Sequence, residues 1–243
     1  MSDIENIAKQ MIGKGKGILA ADESTGTMTK RLSSVNVEST SENRLKFRET
    51  LFSAEGMKNY IGGVILYDET IKQKTSSGKS VPDLIKSFGS IPGIKVDTGA
   101  KKLAGSPEEK VTEGLDGLRE RLSEYYKLGA RFTKWRAVYN ISDKYPSELA
   151  VKSNAHALAR YAALVQEAKM VPIVEPEVLM DGEHDITKCY EVTSNVLKEC
   201  YKELKLQNIN LKGTILKPNM ILPGNKSKNK SNTIEIAKMT LKC

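Results

Sequence analysis

Residues 171–178 read VPIVEPEV. This is a short, β-branched apolar run of strand length, and it closes on charge. Glu175 and Glu177 stand two residues apart, so on a strand they share one face, while Pro176 points the other way. Outward from this stretch the same design recurs. Further apolar runs lie at Gly17–Ala21, Ile61–Tyr67, Gly93–Val96, Phe132–Val138 and Gly213–Leu216. Taken in chain order, the six runs start at 17, 61, 93, 132, 171 and 213. Longer amphipathic stretches fill the intervals, and alternation of this size predicts βα repeats around a parallel sheet.

The intervening stretches carry helix signals. Ser106-Pro107-Glu108-Glu109 offers a capping residue, a proline at the first helical position and a glutamate three residues after the serine. Val111, Leu115, Leu118 and Leu122 would follow on one helical face, with Gly129 placed to end that helix. Leu149, Ala155, Leu158, Ala162 and Val165 form a second stripe, and Ile186, Cys189, Val196 and Cys200 a third. A last helix is expected over Thr233–Leu241. No Gly/Ser/Pro-rich linker divides the chain, so residues 1–243 are read as a single domain. The sheet could be open and doubly wound or closed into a barrel. The open form would want a glycine-rich phosphate turn after the first strand, but Gly13-Lys14-Gly15-Lys16-Gly17 precedes that strand, and no GxxxxGK[ST] is present.

Composition excludes several classes. The 243 residues are 39% apolar and 28% charged, the profile of a soluble domain with room for a substantial core. No apolar run approaches the roughly 20 residues of a membrane span, and the opening MSDIENIAKQ has no uninterrupted apolar region of the signal-peptide kind. Three cysteines, Cys189, Cys200 and Cys243, are too few for a disulfide scaffold and suit a reducing cytoplasm. Two histidines, His156 and His184, cannot build a zinc site of three imidazoles, and both are read as ordinary polar or packing residues. The net charge of +8 is spread along the chain. The densest basic stretch, Asn225–Lys230, lacks interleaved aromatics, so a solvated loop is expected there and no nucleic-acid partner. An anionic small substrate fits the balance better.

The strand ends carry the chemistry. The first run closes on Asp22-Glu23 and the second on Asp68-Glu69. The third carries Lys95 and Asp97, the fourth Lys134 and Arg136, the fifth Glu175 and Glu177, and the sixth Lys217. Turned toward the helices these charges would be buried without water, at several kcal/mol each. Turned inward at the carboxyl ends of the strands they converge where barrels place their sites. A lysine crowded by another cation is held toward its amine form and can attack a carbonyl. A neighbouring carboxyl group can then expel water and move protons. Lys217 is the best candidate nucleophile, held extended by Pro218, with Lys134 as the cationic neighbour.

At this point the chain resembles class I fructose-bisphosphate aldolase. The matching segments are GKGILAADESTGT (15–27), YIGGVILYDETI (60–71), IPGIKVDTGAKKLAGS (91–106), GLDGLRERL (114–122), RFTKWRAVYNI (131–141), NAHALARYA (154–162), VPIVEPEVLMDGEHDI (171–186) and GTILKPNMILPG (213–224). The resemblance implies an α/β fold of the TIM (β/α)8 barrel family. It implies reversible cleavage of fructose 1,6-bisphosphate to dihydroxyacetone phosphate and glyceraldehyde 3-phosphate, a step of glycolysis and gluconeogenesis, through a lysine Schiff base with neither metal nor cofactor. By the same matching, Lys217 is the Schiff-base lysine, Glu175 the acid/base glutamate and Glu177 its supporting partner. Lys134 contacts substrate and assists imine chemistry, and Asp22 handles the substrate hydroxyls. Lys95, Arg136, Ser24, Thr27 and Arg31 surround the sugar phosphate. Thr27 stands where the family often has serine, and Thr98 replaces a lysine common in that motif. A cytoplasmic homo-oligomer, a tetramer by resemblance, is expected.

The resemblance also implies eight strands, and six are counted. The chain is therefore expected to hold about six of the eight βα units, incomplete at its carboxyl end. Two other readings follow from the residues: a sugar-phosphate or protein-binding module that keeps the fold without catalysis, and a transaldolase-like lysine-imine barrel. The VEPE and LKPNM contexts argue against the second.

Overall fold

A computed structural model describes residues 3–243. In chain order the elements are α1 (Asp3–Met11), β1 (Gly17–Ala20), α2 (Thr25–Ser33), α3 (Ser41–Phe52), α4 (Met57–Tyr60), β2 (Ile61–Leu66), α5 (Asp68–Ile71), α6 (Val81–Ser87) and β3 (Ile91–Lys95). They continue with β4 (Gly99–Leu103), β5 (Ser106–Glu113), α7 (Leu118–Lys127), β6 (Phe132–Tyr139), α8 (Glu148–Glu167), β7 (Val171–Val178), α9 (Ile186–Leu206), β8 (Ile215–Leu216) and α10 (Thr233–Lys242). All six predicted strands exist, with ends displaced by no more than two residues. They form one sheet in the order β1-β2-β3-β6-β7-β8, and the pairings with a resolved register are parallel. Successive large strands are neighbours with helices between them, which is the βα repeat of a (β/α)8 barrel over six strands. Among the described residues no helix is long and apolar enough to cross a membrane.

The chain groups into two compact units. The first takes the chain through Val96, Leu118–Lys134 and Val165–Pro172, and the second takes Asp97–Gly117, Trp135–Leu164 and Ile173–Cys243. In the first unit the core includes Val64, Ile65, Leu66, Ile94 and Phe132 from the strands and Met11, Phe52, Ile85 and Leu122 from the helices, all buried. In the second, Trp135 lies against Tyr161 at a ring separation of 5.3 Å, within a core that includes Ala155, Leu158, Val174, Val196 and Cys200. Cys189 and Cys200 are therefore core residues, as read, and burial pushes the Cys200 thiol up to about 12. Two glycines are required by close approach. A Cβ on Gly62 would stand 2.1 Å from the Met11 carbonyl oxygen, and one on Gly93 would stand 2.3 Å from the Phe132 ring.

Residues 106–113 correct the sequence reading. They form β5, antiparallel to β4, and the helix begins only at Leu118. The Ser106–Glu109 pairing of the expected capping box does form, with the serine hydroxyl donating at 2.8 Å. It serves a hairpin instead of a helix, because Gly105 turns the chain at φ +85° and Glu109 is drawn into a buried site where the Ser147 backbone N–H donates at 2.8 Å. Val111 and Leu115 thereby leave the helical stripe, whereas Leu118 and Leu122 remain on it, buried. Gly129, at φ +109°, closes α7 as expected. Leu149 is a second correction. It is exposed, because six residues before Ala155 it lies roughly two-thirds of a turn round α8 from that stripe.

Because the Phe132 ring occupies the space a side chain at 93 would need, Gly93→Ala is expected to lower stability by about 2–4 kcal/mol. Urea unfolding measures this, and a loss under 0.5 kcal/mol (roughly the surface-substitution range) would refute the packing argument.

Candidate active site

The first unit contributes one cluster. β1 ends at Ala20 and the chain passes through Asp22 into Ser24, the N-cap of α2, whose hydroxyl accepts the Thr27 N–H at 3.4 Å. Ser24 and Thr27 also bond hydroxyl to hydroxyl at 3.2 Å, so these two predicted phosphate-side residues do meet. The buried Lys134 ammonium donates to Asp22 Oδ2 at 2.7 Å. Lys95 stands in direct register with Lys134 across β3 and β6. Two cations thus occupy neighbouring positions on one sheet face, with Asp22 offsetting the buried one. Arg31 is exposed and pairs with Glu23, so it does not join the Asp22–Lys134 contact.

The second unit contributes the other cluster. The Lys217 N–H donates to the Val174 carbonyl at 2.9 Å, which continues the β7–β8 ladder by one residue before Pro218 stops it. The Lys217 Nζ donates to Glu175 Oε1. Glu175 is buried, and Arg136 Nε lies 3.9 Å from the same oxygen while bonding Glu177 Oε2. Burial acts to lower the Arg136 pKa, but the bond to Glu177 and the fields of Glu175 and Asp97 outweigh it and hold the guanidinium above its ordinary value. The pair thus sets a buried carboxylate in direct contact with a half-exposed ammonium.

Asp68 and Glu69 leave the strand-end set. Asp68 accepts from the Tyr125 hydroxyl at 2.7 Å and pairs with Lys72 at 2.9 Å. Glu69 pairs with Arg44 through both carboxylate oxygens. Sequence reasoning also missed Arg48. It is fully buried on α3 and donates to the carbonyls of Ala21, at 3.0 Å, and Glu23, so it fixes the backbone on either side of Asp22. Burial holds its pKa below the ordinary arginine value against the fields of Glu23 and Glu69. No local pattern announces such a residue, because its partners lie 25 and 27 positions away. Of the two histidines, His156 is half-exposed and meets Glu203 at 3.0 Å, while His184, in its turn, is partly buried and held below the ordinary histidine pKa by that burial.

Parallel strands that close on paired lysines and carboxylates define an α/β protein with charged clusters at its strand ends. The chain matches the family description "Fructose-bisphosphate aldolase class-I" over residues 3–243, and it belongs to that family. It is 53% identical over 243 residues to a probable fructose-bisphosphate aldolase class 1 of Xylella fastidiosa, covering 100% of this chain and 73% of that protein. It is 55% identical over 228 residues to the cytosolic fructose-bisphosphate aldolase 4 of Arabidopsis thaliana, covering 94% of this chain and 58% of that one. A solved structure of the Plasmodium falciparum aldolase, in a ternary complex with TRAP and a small-molecule inhibitor, superposes with a TM-score of 0.97 at 43% identity, over 99% of this chain and 70% of that one.

The Arg44–Glu69 pair yields a pH test. The Arg44 hydrogen bond holds the Glu69 carboxyl below its ordinary value. Its stabilisation is therefore full above the unfolded carboxyl value and is lost as pH falls through the folded one. Glu69→Gln is expected to cost about 1 kcal/mol at pH 7 after solvent screening, with the gap to wild type closing below about pH 4. Urea melts at the two pH values measure it, and a gap unchanged by acid would count against the ion pair.

Proposed function

We propose that this protein cleaves fructose 1,6-bisphosphate reversibly to dihydroxyacetone phosphate and glyceraldehyde 3-phosphate through an imine on Lys217. Family membership supports the aldolase reading, and the observation that carries the mechanism is the contact between Lys217 Nζ and buried Glu175. Two lysines in the candidate site are paired with carboxylates, but their access differs. The Lys217 side chain is 46% exposed and the Lys134 side chain 9%. Only the first presents its nitrogen to a ketone.

The steps follow from the assigned groups. The Lys217 amine adds to the substrate ketone carbon. Glu175, in its acid form, gives a proton to the resulting hydroxyl, which leaves as water and generates the iminium. Asp22 takes the proton of the hydroxyl on the far side of the scissile carbon-carbon bond. That bond breaks, the aldehyde departs, and the electron pair moves into the iminium as an enamine. Protonation at carbon and hydrolysis release dihydroxyacetone phosphate and restore the amine. Glu177 holds Arg136 beside Glu175, and Lys134, by its match to the family, contacts the substrate and assists the imine chemistry. Lys95, Arg136, Ser24, Thr27 and Arg31 receive the sugar phosphate. The same reading treats residues 1–243 as one barrel-type domain, acting in the cytoplasm in glycolysis and gluconeogenesis as a homo-oligomer, a tetramer by family.

Borohydride added with dihydroxyacetone phosphate is expected to leave a reduced adduct on the Lys217 peptide by mass spectrometry, and none in Lys217→Ala. Glu175→Gln is expected to slow turnover by about 10²–10⁴. An adduct on another lysine, or one that survives in Lys217→Ala, would remove Lys217 from the mechanism.

A further inference from the structure

The β4–β5 hairpin is tied to the end of β6 by a buried polar chain. β3 stops at Lys95, and its last link to β6 is the Val96 N–H donating to the Lys134 carbonyl at 3.1 Å. In a parallel pair, residues two apart on a strand turn their backbone groups to the same neighbour. Arg136 therefore faces a place where the neighbouring strand has ended. Two side chains supply the missing partners. The Arg136 N–H donates to Asp97 Oδ2 at 3.4 Å, and the Thr112 hydroxyl donates to the Arg136 carbonyl at 2.7 Å.

Thr112 is itself fixed. It is buried on β5, and its N–H donates to Asn154 Oδ1 at 3.0 Å. The Asn154 amide nitrogen donates to the Lys110 carbonyl at 2.8 Å and to the Ala150 carbonyl at 3.1 Å. This fully buried amide takes the N–H of residue 112 and the C=O of residue 110, the two groups a neighbouring strand would have paired. At the start of α8, Glu109 binds the backbone N–H and hydroxyl of Ser147, which anchors the hairpin a second time. Thr112 and Asn154 are uncharged, yet the chain ends on the backbone of the residue whose guanidinium flanks Glu175 and Glu177.

We infer that Thr112, held by Asn154, is a positioning residue that sets Arg136 for the substrate phosphate. This rests on the aldolase reading of Arg136. Deleting the hydroxyl leaves the part-buried Arg136 carbonyl without its donor and frees the strand end. The guanidinium should then lose its placement, while Lys217 and Glu175 keep theirs.

The test uses the full chain with Thr112→Val, Thr112→Ser and Arg136→Lys, alone and combined. In Thr112→Val the half-saturating fructose 1,6-bisphosphate concentration is expected to rise about tenfold with kcat within about twofold, the pattern of lost binding shared by ground and transition states. Thr112→Ser, which keeps the hydroxyl, is expected to restore the wild-type value. On the Arg136→Lys background, Thr112→Val should add no further rise, because both changes act through one group. Additive effects, or a loss of thermal stability with unchanged half-saturation, overturn the inference. Hydrogen exchange of the Phe132–Tyr139 peptide is the arm independent of catalysis. Faster exchange is expected in Thr112→Val and not in Thr112→Ser, and equal exchange overturns the inference even if the chain turns nothing over. A wild-type chain that shows neither adduct nor turnover strikes the functional reading alone. Thr112→Ala, which lets water reach the freed carbonyl, replaces the valine variant if that one melts below the assay temperature.

Discussion

A carboxylate cannot be taken out of water without a partner, and Glu175 is the place where this constraint acts most strongly. The residue lies in the middle of β7, in a run whose neighbours are all buried, so solvent reaches almost none of it. Its charge is met by Lys217, directly after β8, and faced by Arg136 on β6. Each partner is placed by a strand adjacent to β7, so the ion cluster depends on strand order. The sheet fixes which side chains stand beside the carboxylate, and the carboxylate fixes which charges those side chains must carry. A neutral residue at 217 would remove the cation in direct contact with Glu175, while the Arg136 guanidinium, 3.9 Å from the same oxygen, is already engaged by Glu177.

Asp22 and Lys134 repeat the rule in the first unit, with a different outcome. Both partners are buried there, and Lys134 is committed to its carboxylate on a rigid strand. Two lysines of the same kind, each facing a carboxylate at a strand end, are thus distinguished by solvent access. Chemistry at a nitrogen needs a lone pair and a path to it. A shielded ammonium is an electrostatic group, and a half-exposed one can be a nucleophile. Arg48 belongs to the same arrangement from behind. It takes up the carbonyls of Ala21 and Glu23, so the short segment between β1 and α2 holds its course past the last backbone bond to β2, from the Ala21 N–H to the Ile65 carbonyl.

What could be read in the sequence follows from which signals are local. Strands announce themselves by dense β-branched runs, and the charges at their ends are visible because residues two apart share a face, as Glu175/Glu177 do. That much of the site was legible: the Lys217–Glu175 and Glu175–Arg136–Glu177 contacts join residues already singled out by position. The hairpin was not legible, because Ser106-Pro107-Glu108-Glu109 satisfies a helix start locally and the deciding partner, Ser147, lies 38 residues on. Leu149 was misread for a simpler reason, since its spacing from Ala155 does not return to the same side of the helix. Arg48 and Asn154 were invisible for a third reason. An arginine or asparagine in a helix reads as surface, and only the tertiary placement of open carbonyls turns it inward.

The misread hairpin bears on how such a fold positions a site. A parallel strand can present a functional side chain past the end of its neighbour only if something else satisfies the backbone there, since an orphaned buried carbonyl costs about 1–3 kcal/mol. Lengthening β3 would do this, but a longer β3 would carry its own side chains over the same sheet face. Asp97 and Thr112 satisfy the Arg136 peptide groups from the side without adding a strand. The hairpin is thus a substitute neighbour for the last residues of β6. Its polar core of Glu109, Thr112 and Asn154 is the consequence, because a side chain standing in for a strand must offer donors and acceptors where a strand would offer its backbone.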